Sequence, residues 1–337
     1  MRPKSLLEVA VFLGAEMASH FIEQVHGYTI KELERILQVS CDDLNGDLSL
    51  EANILGGWTN INIRGKSDGL TFVLKLPCSV LSFESNPYDQ LYETTSHLNN
   101  LGIAARPIAK GRLSGKKEIP FIILEYIDGV VYDSLSDLSH EELSSLKDCL
   151  EIISKQNPPG LRRYKSPSEH MTTKYTLVKD HVHLSTVSNE VKILIETCEN
   201  LYPDVLSYTD ALGDWPQTFM HGDLWIPNVI FQQDKVRLLD FEDAAYGHHL
   251  YDLAYLLETP ESASESHALG LIHPEDLDAA NELRPVAVAY IINWSLERLL
   301  SMESGLIEPN LTTEQSRTAV IGYTRGKINR LKTLLSN

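Results

Sequence analysis

The sequence predicts an α+β fold made of two lobes, a small lobe built on an antiparallel β-sheet and a large, mainly α-helical lobe. Short runs of β-type residues fill positions 48–76, and two more follow between residues 105 and 127. After Asp128-Gly129 the apolar residues recur mostly at the spacing of α-helices. We therefore divide the chain into a helical N-terminal extension, a small lobe and a large lobe, at residues 1–47, 48–128 and 129–337.

Each element of the small lobe has its own local signal. Thr29 and Glu32 have the spacing of a capping box, and we expect the first 40 residues to be helical. Lys66-Ser67-Asp68-Gly69 predicts a tight hairpin turn, and apolar residues at helical spacing predict a helix between Pro87 and Leu101. We expect a sheet of about five strands with one inserted helix, with the strands at residues 48–55, 61–65, 70–77, 105–113 and 119–127.

Composition and charge exclude several classes of protein. The 337 residues are 43% hydrophobic and 23% charged, which is typical of a globular chain with one large core or two. The formal net charge is −18, and such an acidic surface repels nucleic-acid phosphates and anionic lipids. Four cysteines without a CxxC pair favour a reducing compartment, and no apolar run reaches 18 residues. We expect a cytoplasmic protein that binds neither nucleic acid nor membranes.

The densest group of polar residues lies in the large lobe and begins at His221-Gly222-Asp223. Asn228 follows, and a hairpin-like segment then leads to Asp240. A short hairpin brings its two ends together, and the oxygen-bearing side chains at those ends suit a hard cation and phosphate groups. The pattern predicts phosphoryl transfer, in which one carboxylate orients the attacking hydroxyl while an amide and a second carboxylate hold magnesium.

The string HGD-x4-N, followed by Asp240-Phe241-Glu242, resembles the catalytic and metal-binding loops of the aminoglycoside phosphotransferase and choline kinase superfamily, which is related to the protein kinases. The resemblance covers roughly residues 48–300 and implies a protein-kinase-like fold of two lobes. It further implies that Asp223 is the catalytic residue and that Asn228 and Asp240 hold Mg²⁺.

Residues of the small lobe extend the resemblance to the nucleotide. Lys75 lies in a β-type run and matches the lysine that holds the α- and β-phosphates of ATP. Glu93, which we prefer to Glu84, matches the glutamate that pairs with that lysine. ATP is the expected nucleotide, with GTP left open. The other residues implied to contact it belong to a glycine-bearing turn and to the hinge between the lobes: Gly56, Gly57, Thr59, Asn60, Glu125, Tyr126 and Ile127.

Two departures from the protein kinases bear on regulation and on the acceptor. Gly222 stands where many protein kinases have an arginine that reads a phosphorylated activation loop, which argues against such a switch. No APE-like segment, which would form a platform for a peptide substrate, follows Glu242. The resemblance therefore implies a small-molecule alcohol as acceptor and argues against a protein. The acidic residues Asp214, Glu242 and Asp243 favour a cationic acceptor such as an aminoglycoside, choline or an amino sugar. Fructosamine-, homoserine- and methylthioribose-type acceptors stay open, as do a pseudokinase that binds nucleotide without turnover and a metal-dependent hydrolase.

Four residues near these motifs favour a structural interpretation. We expect His221 to hydrogen-bond the catalytic loop without transferring a proton. We expect Asp252 to be the N-cap of an apolar helix and not a metal ligand. Tyr290 and Trp294, four positions apart on a C-terminal helix, are more typical of a core than of the wall of an acceptor pocket.

Overall fold

The computed structural model confirms the α+β fold of two lobes. A five-stranded antiparallel sheet forms the small lobe, and most of the helices form the large lobe. The structure describes residues 22–41, 43–44, 46–55, 57–183, 186–233, 235–259, 270–308 and 311–336.

The described part of the chain begins with a small hairpin and a helix: β1 Gln24–Val25, β2 Tyr28–Thr29 and α1 Ile30–Ser40. Thr29 and Glu32 form the predicted capping box at the start of α1. The expectation that the first 40 residues are all helical is wrong for the hairpin, because the two residues between its strands take positive φ angles that reverse the chain. The part of that expectation that concerns residues 1–21 lies outside the described residues.

The small-lobe sheet consists of β3 Ser49–Ile54, β4 Asn60–Ser67, β5 Leu70–Pro77, β6 Pro107–Leu113 and β7 Ile119–Glu125. Its spatial order is β3-β4-β5-β7-β6, and all neighbouring strands are antiparallel. Asp68 and Gly69, with φ angles of 42° and 81°, form the predicted turn between β4 and β5. Helices α2 (Ser82–Ser85) and α3 (Tyr88–Asn99) are inserted between β5 and β6. The five strands and the inserted helix are therefore as predicted.

Helix α1 packs on this sheet and completes the core of the small lobe. Leu33 and Leu37 are fully buried against it, and a carboxylate oxygen of Glu34 accepts a hydrogen bond of 2.9 Å from the amide of Leu50 in β3. Ile307 and Leu311, which lie far along the chain, reach into the same core. The small lobe is thus stabilised by segments on both sides of the predicted range 48–128.

The large lobe is arranged around one long buried helix. Its elements are α4 His140–Ser154, α5 Pro167–Val182, α6 Asn189–Ala211, β8 Thr218–Met220, β9 Val229–Gln232, β10 Lys235–Leu238, β11 Ala245–Gly247, α7 Leu250–Glu258, α8 Leu277–Glu303 and α9 Glu314–Leu335. Helix α8 packs against α5, α6, α7 and α9. Strands β9 and β10 form a hairpin, and β8 pairs with β11. Within the described ranges, no helix is long and apolar enough to cross a membrane.

The two lobes meet along the β9–β10 hairpin. The backbones of Val130, just after the hinge, and Phe231 in β9 exchange hydrogen bonds of 2.9 and 2.8 Å. The amide of Leu238 in β10 donates to the carbonyl of Ile103 in the small lobe, at 2.8 Å. These contacts hold the end of β10, and therefore the polar loop that follows it, against the small lobe.

Candidate active site

The catalytic loop His221-Gly222-Asp223 follows β8, and a buried carboxylate holds its backbone. Asp252 accepts hydrogen bonds from the amides of His221 and Gly222, at 2.7 and 2.8 Å. Burial raises the pKa of Asp252 to about 7, although the two amide bonds act in the opposite direction. The N-cap prediction for Asp252 is wrong, because Asp252 is the third residue of α7 and the cap position belongs to His249.

His221 ties the loop to the end of the β9–β10 hairpin. Its Nε2 lies 2.8 Å from the carbonyl oxygen of Leu239, and its Nδ1 lies 3.3 Å from the amide nitrogen of Asp223. These partners fit a neutral ring that donates from Nε2 and accepts at Nδ1. Burial lowers the pKa of His221 to about 4, which keeps the ring neutral. The geometry agrees with the structural role expected for this histidine.

Gly222 is required by close packing. Its φ angle is +86°, and a Cβ atom at this position would lie 2.2 Å from the carbonyl oxygen of Asp243. Any side chain would therefore push the loop that carries Asp243 away from the catalytic loop. This contact explains why the position is glycine and not arginine.

Asp223 is surrounded by polar side chains from two elements. Its Oδ1 accepts a hydrogen bond of 2.7 Å from the hydroxyl of Tyr255, and its Oδ2 lies 3.4 Å from Nδ2 of Asn228. The same Nδ2 donates to the Asp223 carbonyl at 3.0 Å. Burial, together with the charges of Asp240 and Asp243, raises the pKa of Asp223 well above its usual range. Sequence reasoning missed Tyr255, which is three residues after Asp252 and therefore shares its face of α7.

The β9–β10 hairpin brings Asn228 and Asp240 to the same end, as predicted. Val229 pairs with Leu238, and the amide of Leu239 donates to the carbonyl of Asn228 at 2.8 Å. Asp240 follows in a left-handed conformation, φ 63° and ψ 58°, which is uncommon for a residue other than glycine. Such backbone strain is concentrated at functional sites.

Lys75 does not pair with Glu93, and this prediction is wrong. Lys75 is 5% exposed, and its Nζ lies 2.9 Å from Oδ1 of Asp240 and 2.7 Å from Oε1 of Glu242. Burial alone would lower the pKa of Lys75, but the two carboxylates raise it above its usual value. The buried face of α3 carries Leu91, Thr94, Thr95 and Leu98, so Glu93 points to solvent.

The glycine-bearing turn connects β3 and β4 of the small lobe. Its first glycine, Gly56, is outside the described residues. Gly57 has a φ angle of +118°, and a Cβ there would lie 2.7 Å from Nδ2 of Asn62. Asn60 is buried, with its Nδ2 donating to Glu242 at 2.7 Å and its Oδ1 accepting from Tyr88 at 2.7 Å. The Asn60 side chain therefore joins the turn to the large lobe.

The hinge leaves one of its three amides without a protein acceptor. The amide of Glu125 donates to Arg106 O at 2.8 Å, and that of Tyr126 donates to Thr71 O at 3.1 Å. Among the described residues no acceptor contacts the amide of Ile127. This amide is therefore the hinge donor whose hydrogen bond the described residues leave unsatisfied.

An aromatic wall with one ion pair lies beside Asp223. The Nζ of Lys174 is 3.0 Å from Oδ1 of Asp243 and 4.9 Å from the centre of the Tyr290 ring. Tyr290 also packs edge-on against the ring of Tyr255, with the ring centres 6.2 Å apart. Trp294 is half-buried and contacts Trp58 of the glycine turn. Tyr290 is 2% exposed and belongs to the core, as the sequence predicts. Sequence reasoning missed Lys174.

The fold and this cleft between two lobes define a kinase-like phosphotransferase, and sequence comparison supports this class. The family model of the phosphotransferase enzyme family matches residues 52–283, more than half of the chain, so the chain belongs to that family. A LicA homolog from Mycoplasma capricolum is 32% identical over 100 residues. That match covers 29% of this chain and only 40% of the relative's length.

Solved structures with similar folds include several small-molecule kinases. The ethanolamine kinase of Plasmodium vivax has a TM-score of 0.61 at 16% identity, covering 85% of this chain and 83% of its own. The aminoglycoside phosphotransferase APH(4)-Ia, in a ternary complex with ADP and hygromycin B, has a TM-score of 0.59 at 14% identity, covering 90% and 98%. A choline/ethanolamine kinase family protein from Mesorhizobium loti has a TM-score of 0.59 at 14% identity, covering 92% and 96%. At these identities the likeness establishes the fold.

Proposed function

We propose that this protein transfers the γ-phosphate of ATP to a hydroxyl group of a small molecule, with Asp223 as the catalytic base. The observation that carries the proposal is the clustering of Lys75, Asp223, Asn228 and Asp240 where the two lobes meet. Phosphoryl transfer needs a cation for the phosphates, oxygen ligands for a metal ion and a carboxylate for the acceptor. Family membership and the nucleotide complex of a structural neighbour support the same reaction.

The nucleotide site in this proposal lies between the hinge and Lys75. The amide of Ile127 is available to the base, and the backbone of the turn at Gly57 and Thr59 is available to the phosphates. Lys75 holds the α- and β-phosphates by exchanging its contacts with Asp240 and Glu242 for phosphate oxygens. That exchange releases Asp240 for a metal ion.

The donor set fits Mg²⁺. Asn228 donates through Nδ2, and its side-chain oxygen has no donor among the described residues. Asp240 adds a carboxylate, and both are the hard oxygen ligands that Mg²⁺ requires. Within the described residues no three His, Cys, Asp or Glu side chains form a metal-binding group, so phosphates and waters would complete the shell. Bound Mg²⁺ would neutralise phosphate charge during transfer.

Asp223 performs the proton chemistry in this scheme. It accepts the hydrogen bond of the acceptor hydroxyl and takes its proton as the oxygen–phosphorus bond forms. The bond between the γ-phosphorus and the bridging oxygen breaks, and ADP leaves. The amides of His221 and Gly222, fixed by Asp252, keep this carboxylate in place.

The acceptor is proposed to be a cationic alcohol such as an aminoglycoside, choline or an amino sugar. The half-buried rings of Tyr255 and Trp294 support this class, because aromatic faces attract ammonium groups. Glu242 and Asp243 support it less than their charges suggest, since each already pairs with a lysine. Fructosamine, homoserine and methylthioribose are the alternative acceptors.

The proposal is tested by ATP consumption with Mg²⁺ against a panel of alcohols. The panel contains hygromycin B, spectinomycin, choline, ethanolamine, homoserine, methylthioribose and a fructosamine, and Asp223→Asn is assayed beside the wild type. We expect one acceptor class to stimulate ADP formation, and the stimulation to fall by about 100-fold or more in the variant.

Two results would contradict the proposal. Full activity of Asp223→Asn would show that Asp223 is not the catalytic base. A wild type whose melting temperature rises with ATP but which consumes none with any acceptor would favour a nucleotide-binding pseudokinase. GTP is run in parallel, because the sequence leaves GTP open as the phosphate donor.

A further inference from the structure

Helix α7 holds the catalytic loop through two residues on one face. Asp252 accepts hydrogen bonds from the loop backbone, at the amides of His221 and Gly222. Tyr255, three positions later, donates to the Asp223 side chain at 2.7 Å between Oη and Oδ1. Residues three apart on a helix lie on the same side. One helix face therefore fixes both the main chain and the side chain of the proposed base.

The helix is itself anchored one turn further on. Glu258, 5% exposed, pairs with Arg284 of α8 at 2.6 Å and with Arg330 of α9 at 2.9 Å. A buried ion pair with good geometry resists any shift of the helix, because separating it leaves uncompensated charge inside the protein. Tyr255 therefore projects from a rigid support.

The ring of Tyr255 is also fixed, and its hydroxyl can only donate to the carboxylate. The ring centre is 6.1 Å from that of Tyr251 and 6.2 Å from that of Tyr290. Burial and the charge of Asp223 raise the pKa of Tyr255 well above its usual value, so the hydroxyl keeps its proton.

The two oxygens of Asp223 consequently differ. Oδ1 is occupied by the short hydrogen bond from Tyr255, whereas among the described residues Oδ2 has one long contact of 3.4 Å, to Nδ2 of Asn228. Resting on the proposed function, we propose that Tyr255 is a positioning residue that occupies Oδ1 of Asp223 and so presents Oδ2 to the acceptor hydroxyl. The acceptor proton then passes to Oδ2, the acceptor oxygen bonds to the γ-phosphorus, and ADP leaves.

The test compares Tyr255→Phe with Tyr251→Phe. Both remove one hydroxyl from a tyrosine of α7, Tyr255 being partly buried and Tyr251 fully buried. The Tyr251 hydroxyl has no hydrogen-bond partner among the described residues. The assays measure ADP formation with choline, ethanolamine or hygromycin B and slow ATP hydrolysis with water as acceptor. Calorimetry measures the affinity for ADP with Mg²⁺.

We expect kcat to fall by about 10-fold or more in Tyr255→Phe, while KM for ATP, ADP affinity and melting temperature match those of Tyr251→Phe. A kcat equal to that of Tyr251→Phe would overturn the inference. So would a parallel loss of kcat and ADP affinity, because that indicates general damage to the site.

Asp223→Asn in the same assays separates this inference from the proposed function. If Asp223→Asn is inactive and Tyr255→Phe behaves as Tyr251→Phe, only the positioning role is wrong. If Asp223→Asn retains full activity, or the wild type turns over neither water nor any acceptor of the full panel given under the proposed function, the proposed function is wrong and the inference falls with it.

Discussion

The catalytic loop of the large lobe and the lysine strand of the small lobe obtain their polar partners in opposite ways. The loop that carries His221 and Asp223 is held by residues of its own lobe. Examples are Leu239, at the end of the β9–β10 hairpin, and Asp252, in helix α7. Lys75 takes both of its ionic partners from across the cleft. The loop is therefore preorganised by its own lobe, whereas the lysine is positioned only when the lobes are together.

This difference has an energetic consequence. Lys75 is almost fully buried, and both of its carboxylate partners belong to the other lobe, so separating the lobes would break two buried ion pairs. Asn60 adds a neutral contact across the same cleft, to Glu242 at 2.7 Å. These contacts join the two lobes, and in the proposed function phosphate oxygens replace those of Lys75.

Of the variants that test this difference between the lobes, we expect substitution of Lys75 to have the largest effect on activity. We expect Lys75→Met to lower kcat/KM for ATP by about 100-fold or more, because a phosphate-binding cation is lost. The matched variant is Glu93→Gln, which neutralises an exposed residue of α3 that does not contact Lys75. It should stay within about twofold of the wild type in steady-state ATP kinetics. If Glu93→Gln lowered kcat/KM for ATP nearly as much as Lys75→Met, the pairing of Lys75 with Asp240 and Glu242 would not persist in the working enzyme.

A second effect tests the preorganisation of the catalytic loop. Gly222→Ala places a methyl group against the carbonyl of Asp243, and Gly213→Ala is the control, since its φ is also positive, +72°, but nothing lies within 4 Å. Both variants suffer backbone strain, and only the first suffers a clash. In urea unfolding we expect Gly222→Ala to lose about 1–3 kcal/mol more than the control and to lose activity with it. Equal stabilities would mean that the loop tolerates displacement.

The smallest expected effect concerns pH and the buried core around Tyr290. His170 stacks on Tyr290 with ring centres 5.1 Å apart, and burial lowers its pKa to about 3. The unfolded chain therefore binds a proton between about pH 6.5 and pH 3 that the folded protein does not bind, and stability falls as the pH falls through this window. Between pH 6 and 4.5 the wild type should lose about 2 kcal/mol relative to His170→Phe, measured by urea unfolding at each pH. Parallel pH profiles of the two proteins would contradict the burial of a neutral histidine here.

Local sequence signals predicted much of the fold. The five strands of the sheet, the inserted helix and the turn at Asp68-Gly69 follow from residue patterns that span fewer than about ten positions. The hairpin that unites Asn228 and Asp240 was predictable for the same reason. The hairpin formed by β1 and β2 was not, because its strands are two residues long and too short to show alternation.

The errors and omissions at the site depend on contacts between distant segments. The family pattern requires a glutamate on the helix that follows the lysine strand, which predicts Glu93, but the phase of α3 turns Glu93 to solvent. Asp252 binds amides of a loop 30 residues away, and these distant partners give no local signal in the sequence. Tyr255 could have been found once Asp252 was placed, because the two are three residues apart on one helix.

The most direct test of the central claim follows the γ-phosphate itself. Phosphorus NMR of the wild type with ATP, Mg²⁺ and the stimulating acceptor should show a new phosphomonoester signal that grows at the rate at which ATP disappears, and Asp223→Asn should show none. If the γ-phosphate instead appears only as inorganic phosphate, with the acceptor unchanged, the protein is a hydrolase. The roles proposed for Asp223 and for the acceptor would then be wrong.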